Sequence, residues 1–165
     1  MGGYTRLLPT EDRYLLTRSQ FKDMLATLLA GHTAEELIFN EVSTGAHSDI
    51  EQATKLARKM VTDYGMSDTL GPRTFGHKEE LVFLGREISE QRDYSEKVAK
   101  QIDDEVRDII RSAHEVARKI LTENKARLVH LAEKLIAQET LEGEELEALL
   151  SEPLPTPHPE VASTS

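Results

Sequence analysis

Cysteine is missing from this 165-residue sequence. Its absence excludes a disulfide framework, a thiolate zinc site and a cysteine nucleophile, and it fits a reducing compartment. Long apolar runs are missing too: none approaches the roughly 20 residues that a membrane-spanning helix needs, and no signal peptide opens the chain. Basic charge is in short supply, with 20 Lys and Arg against 30 Asp and Glu and a formal net charge of −10. No basic stripe with interleaved aromatics is formed, which disfavours direct nucleic-acid binding. The acidity is local. Residues 139–165 carry seven glutamates and no lysine or arginine, which leaves 23 acidic against 20 basic residues before them.

What is present suits one folded domain with a tail. Hydrophobic residues make up 38% and charged residues 30% of the chain, enough of each for a core and a solvated surface. Thr17 and Gln20 form the pattern of a capping box ahead of Phe21, Met24, Leu25, Leu28 and Leu29 at helical spacing, and that helix continues past Gly31 to Leu37 and Ile38. A long helix is predicted from Ser95 to Leu121, with Val98, Ile102, Val106, Ile109, Ile110, Ala113, Val116, Ala117 and Ile120 on its apolar face. Asn124 to Gln138 and Glu144 to Leu150 add two shorter ones. Gly3 to Leu8 and Leu81 to Gly85 read as short strands, and His77 and His114 read as surface residues. The expectation is a mainly α chain, a helical bundle with one or two short strands over residues 1–150. Residues 151–165, with Pro153, Pro155, Pro157 and Pro159, read as a disordered tail.

The stretch from Val42 to Gly65 concentrates the chemistry. A polar turn, Ser43 to Asp49, leads into an amphipathic helix with Ile50, Ala53, Leu56, Ala57, Met60, Val61 and Tyr64 on one stripe. Ser48 and Glu51 have the spacing of a capping box, and Gly65 ends the helix. Asp49 then falls in the first turn, where its carboxylate opposes the helix dipole or serves as a ligand. His47 lies in the same turn. His32 and Glu36 are four apart on one helix face, with Glu35 beside them, so a metal site of His32, Glu36 and Asp49 is a rival arrangement.

Read in order, a series of short matches runs through the chain. It includes Gly3-Tyr4-Thr5, Leu8-Pro9-Thr10-Glu11-Asp12-Arg13-Tyr14, Ala34-Glu35-Glu36-Leu37, Val42-Ser43-Thr44-Gly45-Ala46, Asp49 and Ala53-Thr54. Ala57-Arg58, Met60-Val61-Thr62, Tyr64-Gly65-Met66-Ser67, Leu70-Gly71-Pro72 and Phe83-Leu84-Gly85-Arg86 extend it, and Ile102-Asp103, Leu121-Thr122-Glu123-Asn124 and Glu139-Thr140-Leu141 close it. Together they resemble the peptidase domain of the FtsH family of ATP-dependent zinc metalloproteases. The resemblance implies a zinc metalloendopeptidase that is a membrane-anchored hexamer. An ATPase ring using ATP feeds it unfolded or damaged membrane and cytoplasmic proteins at the cytoplasmic face of the cell membrane.

In that family two zinc-binding histidines and a catalytic glutamate come from H-E-x-x-H, and the third ligand is an aspartate in the turn matching Ser43 to Asp49. By that match Asp49 is the metal ligand. No H-E-x-x-H occurs in this sequence. The expectation is therefore the C-terminal part of a peptidase domain, with no catalytic residue of its own, no proteolysis by the chain alone, and zinc completed only by upstream histidines. A non-catalytic helical interaction or oligomerisation module is the alternative reading.

Overall fold

The computed structural model describes residues 15–76 and 93–151. The two strands expected at 3–8 and 81–85, His77 and residues 152–165 of the expected tail lie outside the described residues, while Ser151, read as the tail's first residue, ends a helix. Within them there are five α-helices and no strand: α1 Arg18–Phe39, α2 His47–Thr62, α3 Glu96–Glu123, α4 Lys125–Gln138 and α5 Gly143–Ser151. The mainly α reading holds.

Helix α1 starts where its sequence dictates. The Thr17 hydroxyl accepts the Gln20 amide at 3.3 Å while the Gln20 side chain accepts the Thr17 amide at 2.8 Å, the reciprocal bonds of a capping box. The helix runs through Gly31 and ends at Asn40, whose φ of 52° places it in the left-handed region that asparagine tolerates. Its amide still reaches Glu36 O at 3.1 Å.

Helix α2 departs from the expected start. Ser48 is inside the helix, not at its cap, and Glu51 pairs with Lys55 at 2.6 Å instead of reaching back. The physical reason lies upstream: a 3₁₀ turn, Thr44–Ala46, precedes the helix, and its cap is Ser43, whose hydroxyl accepts the Gly45 amide at 3.0 Å. At the other end the Met66 amide closes on Met60 O at 2.8 Å, and Gly65 sits between them at φ +59°. A Cβ there would stand 2.9 Å from Pro72 Cα, so both backbone conformation and close approach require glycine.

The chain divides into two compact units, residues 1–119 and 120–165. In the first, Leu25 and Leu29 of α1, Ala53, Ala57, Met60 and Val61 of α2, and Ile102, Val106 and Ala113 of α3 form one core with Phe21 and Phe75. Burying the larger of these side chains, leucine, isoleucine, valine, methionine and phenylalanine, stabilises by about 1.5–3 kcal/mol each, and the small alanines let the three helices come together. Thr33, buried among them, stays satisfied by donating to Leu29 O at 2.8 Å.

Two positions of the α2 stripe read as buried are not. Ile50 is exposed, and Tyr64 lies half in solvent while its ring stacks on Phe21 at 5.4 Å. They fall at the two ends of the α2 stripe, Ile50 in the first turn of the helix and Tyr64 just past its last residue. Val116 and Ile120, near the far end of α3, are exposed as well. In the second unit, none of the residues of α4 is buried, and Leu149 of α5 is.

Candidate metal-ligand turn

The turn between α1 and α2 is built from three linked contacts. Glu35, in the next-to-last turn of α1, uses both carboxylate oxygens on Ser43: Oε2 accepts the Ser43 amide at 2.9 Å and Oε1 accepts its hydroxyl at 2.9 Å. The hydroxyl in turn accepts the Gly45 amide. Those donors, the amide first and the hydroxyl second, hold the Glu35 carboxyl below the usual carboxylate range. Gly45 packs closely against them: a Cβ there would lie 3.1 Å from Ser43 Oγ, a tight contact, and 3.4 Å from Glu35 Oε1. Ala46, buried, pins the turn to the fold just before α2 begins.

Asp49 then occupies the first turn of α2. The residue is partly buried, and its carboxylate has no hydrogen bond or ion pair among the described residues. This is a donor of the hard, anionic type that zinc accepts at about 2.0–2.2 Å, left uncommitted by the surrounding side chains. His47, the first residue of α2, is exposed.

The rival set of His32, Glu36 and Asp49 is not assembled. Glu36 turns toward α3: its Oε2 lies 3.5 Å from His114 Nε2 and its Oε1 3.4 Å from Arg118 Nη1. The His32 and His114 rings stand 6.1 Å apart. His114 is therefore not the surface residue the charge pattern suggested, because it closes an α1–α3 contact. Among the described residues no three histidine, aspartate or glutamate side chains converge closely enough to hold a metal ion. The donor set in this part of the chain fits zinc as one ligand, Asp49, and not as a complete site.

Residues 1–149 match the model of peptidase family M41. The chain belongs to peptidase family M41. It is 59% identical over 157 residues to the ATP-dependent zinc metalloprotease FtsH 1 of Sphaerobacter thermophilus, covering 95% of this chain and 24% of that protein. The corresponding FtsH 1 of Thermomicrobium roseum is 58% identical over 157 residues, with the same coverage of 95% and 24%. The ATP-dependent zinc metalloprotease FtsH of Thermotoga maritima is 47% identical over 150 residues, 91% of this chain and 25% of that protein. This M41 chain thus spans about a quarter of the length of the curated relatives it matches. No helix among its described residues is long and apolar enough to cross a membrane.

Sequence reasoning placed Asp49 in the first turn of α2, where the structure has it, and left Glu35 without a role. The link it missed joins residues eight apart across a helix end, where neither a 3.6-residue nor a 2-residue period gives any signal. A serine following the helix end, with a glutamate in the last turns, is the cue that was available.

Proposed function

We propose that this chain is part of the peptidase domain of an ATP-dependent zinc metalloendopeptidase, and that Asp49 supplies the third protein ligand to its zinc. The observation that carries the reading is the uncommitted carboxylate of the partly buried Asp49 at the start of α2 in a member of a peptidase family. Support comes also from the relatives, whose names describe zinc- and ATP-dependent proteolysis. Residues 1–150 belong to that peptidase domain, and 151–165 follow it. In the longer protein the remaining ligands and the catalytic glutamate come from an H-E-x-x-H helix. An ATPase module supplies unfolded or damaged membrane and cytoplasmic proteins, and the assembly is a membrane-anchored hexamer working on the cytoplasmic side.

When bound, zinc supplies the Lewis acidity that peptide hydrolysis needs. Asp49 contributes an anionic oxygen and takes no part in proton transfer. The backbone around it is fixed on one side by the buried Ala46 and on the other by Ala53, Ala57 and Met60 of α2, all in the core. A ligand carried on such a frame keeps its position when a polypeptide is drawn past it.

The test is degradation of a loosely folded protein by the full-length protein, with zinc and ATP each withdrawn in turn. Loss of cleavage in both cases is expected. Unchanged cleavage after zinc is stripped by a chelator refutes the proposal.

A further inference from the structure

We infer that Glu35 is the positioning residue of the metal-ligand turn, acting through Ser43 to set where α2 begins and so where Asp49 stands. The inference rests on the reading of Asp49 as a zinc ligand and assigns a role to a residue that does not touch the metal.

Asp49 has no side-chain partner of its own among the described residues, so its carboxylate inherits its place from the backbone beneath it. That backbone leaves α1 through Asn40 in the left-handed region and enters α2 only after the short 3₁₀ turn. Glu35 is the side chain of α1 that bonds across this gap. It holds Ser43 at two atoms, amide and hydroxyl, both at 2.9 Å. Ser43 passes the constraint on through its hydroxyl to the Gly45 amide at 3.0 Å, and Thr44 O accepts the amide of His47, the first residue of α2.

A two-point contact fixes orientation as well as distance, which a single hydrogen bond does not. The packing agrees: Ser43 Oγ and Glu35 Oε1 both lie close to Gly45, where a Cβ would stand 3.1 and 3.4 Å from them. Glu36, its neighbour, faces the other way, toward His114 and Arg118. The adjacent glutamates therefore have separate duties, and Glu36 serves as the control.

The test measures zinc affinity in the full-length protein by competition with a chromophoric chelator, well below each variant's melting temperature. The visible absorption of the cobalt-substituted protein is the second readout, since it reports ligand geometry where a purely structural residue has no effect. Glu35→Ala is expected to weaken zinc about 10- to 100-fold, the range for residues that orient a ligand, and to shift the cobalt bands. Ser43→Ala, which keeps the amide contact, moves both readouts in the same direction by less. Glu35→Gln, which retains one acceptor for the Ser43 amide, recovers part of the loss, and Glu36→Ala keeps wild-type affinity.

If Glu35→Ala folds poorly, Ser43→Ala decides alone. Wild-type affinity and spectrum in Glu35→Ala and Ser43→Ala, with zinc lost from Asp49→Asn, overturn this inference and leave the ligand assignment standing. Zinc retained by Asp49→Asn overturns both.

Discussion

Three glycines near the ends and middle of the first two helices give a graded test of how the turn-bearing helix is held. Gly31, inside α1, has open space where a Cβ would point, so Gly31→Ala removes only the entropic disadvantage of glycine in a helix and should stabilise by about 0.5–1 kcal/mol. Gly71 has a φ of +75° and equally open surroundings. Alanine there meets only the left-handed backbone penalty of about 1–2 kcal/mol, partly offset by about 0.4–1 kcal/mol from a less flexible unfolded chain. Gly65 combines both difficulties. Its φ is +59°, and a Cβ meets backbone atoms of Pro72 and Arg73 at 2.9–3.2 Å. Because backbone cannot swing aside like a side-chain tip, the steric part adds about 1–3 kcal/mol, and Gly65→Ala should destabilise by roughly 2–4 kcal/mol in total. Urea unfolding followed by far-UV circular dichroism gives the three values. If Gly65→Ala is no worse than Gly71→Ala, the close approach of α2 to the Pro72 segment is wrong, and with it the account of how α2 ends.

Thr17→Ala removes one half of the α1 capping box and should lower stability by about 1 kcal/mol in the same assay, with Thr17→Asn close to wild type. Glu35 gives a pH test: its folded-state pKa is depressed below the ordinary 4.5 by Ser43. Its contribution is therefore fully present above that ordinary value and is lost as pH falls through the lowered one. The stability gap between wild type and Glu35→Gln should be constant at neutral pH and shrink in acid, and a gap that widens in acid contradicts the assignment. The 165-residue chain alone, supplied with zinc, should not cleave a loosely folded protein, because its described residues assemble no three-ligand site. Cleavage that survives purification to homogeneity would show otherwise.

The helices were legible where a local rule and a global need agree. Thr17 with Gln20 marks the start of α1 and the apolar period carries α3 within a residue or two of its observed ends. Helix α2 shows the limit of such rules. Ser48 and Glu51 have the right spacing for a cap, yet the chain is already turning at Thr44 because Ser43, tied to Glu35, caps it first. A pattern read along the chain does not register a constraint that arrives from another helix. The same holds for His114, which charge patterning places in solvent and which lies against Glu36 from 78 positions away. Asp49 was legible as a first-turn acid from position alone, whereas the reading of it as a ligand came from the family resemblance. The structure adds that nothing else among the described residues claims its carboxylate.

The central claim, that the turn before α2 delivers a zinc ligand, is tested most directly by locating the metal. Crystals of the zinc-loaded full-length protein, measured on either side of the zinc absorption edge, place the ion without reference to activity. The account requires anomalous density within about 2.0–2.2 Å of an Asp49 carboxylate oxygen, with Glu35 still on Ser43. Zinc held with Asp49 turned away, or with Glu35 or Glu36 in its place, contradicts it.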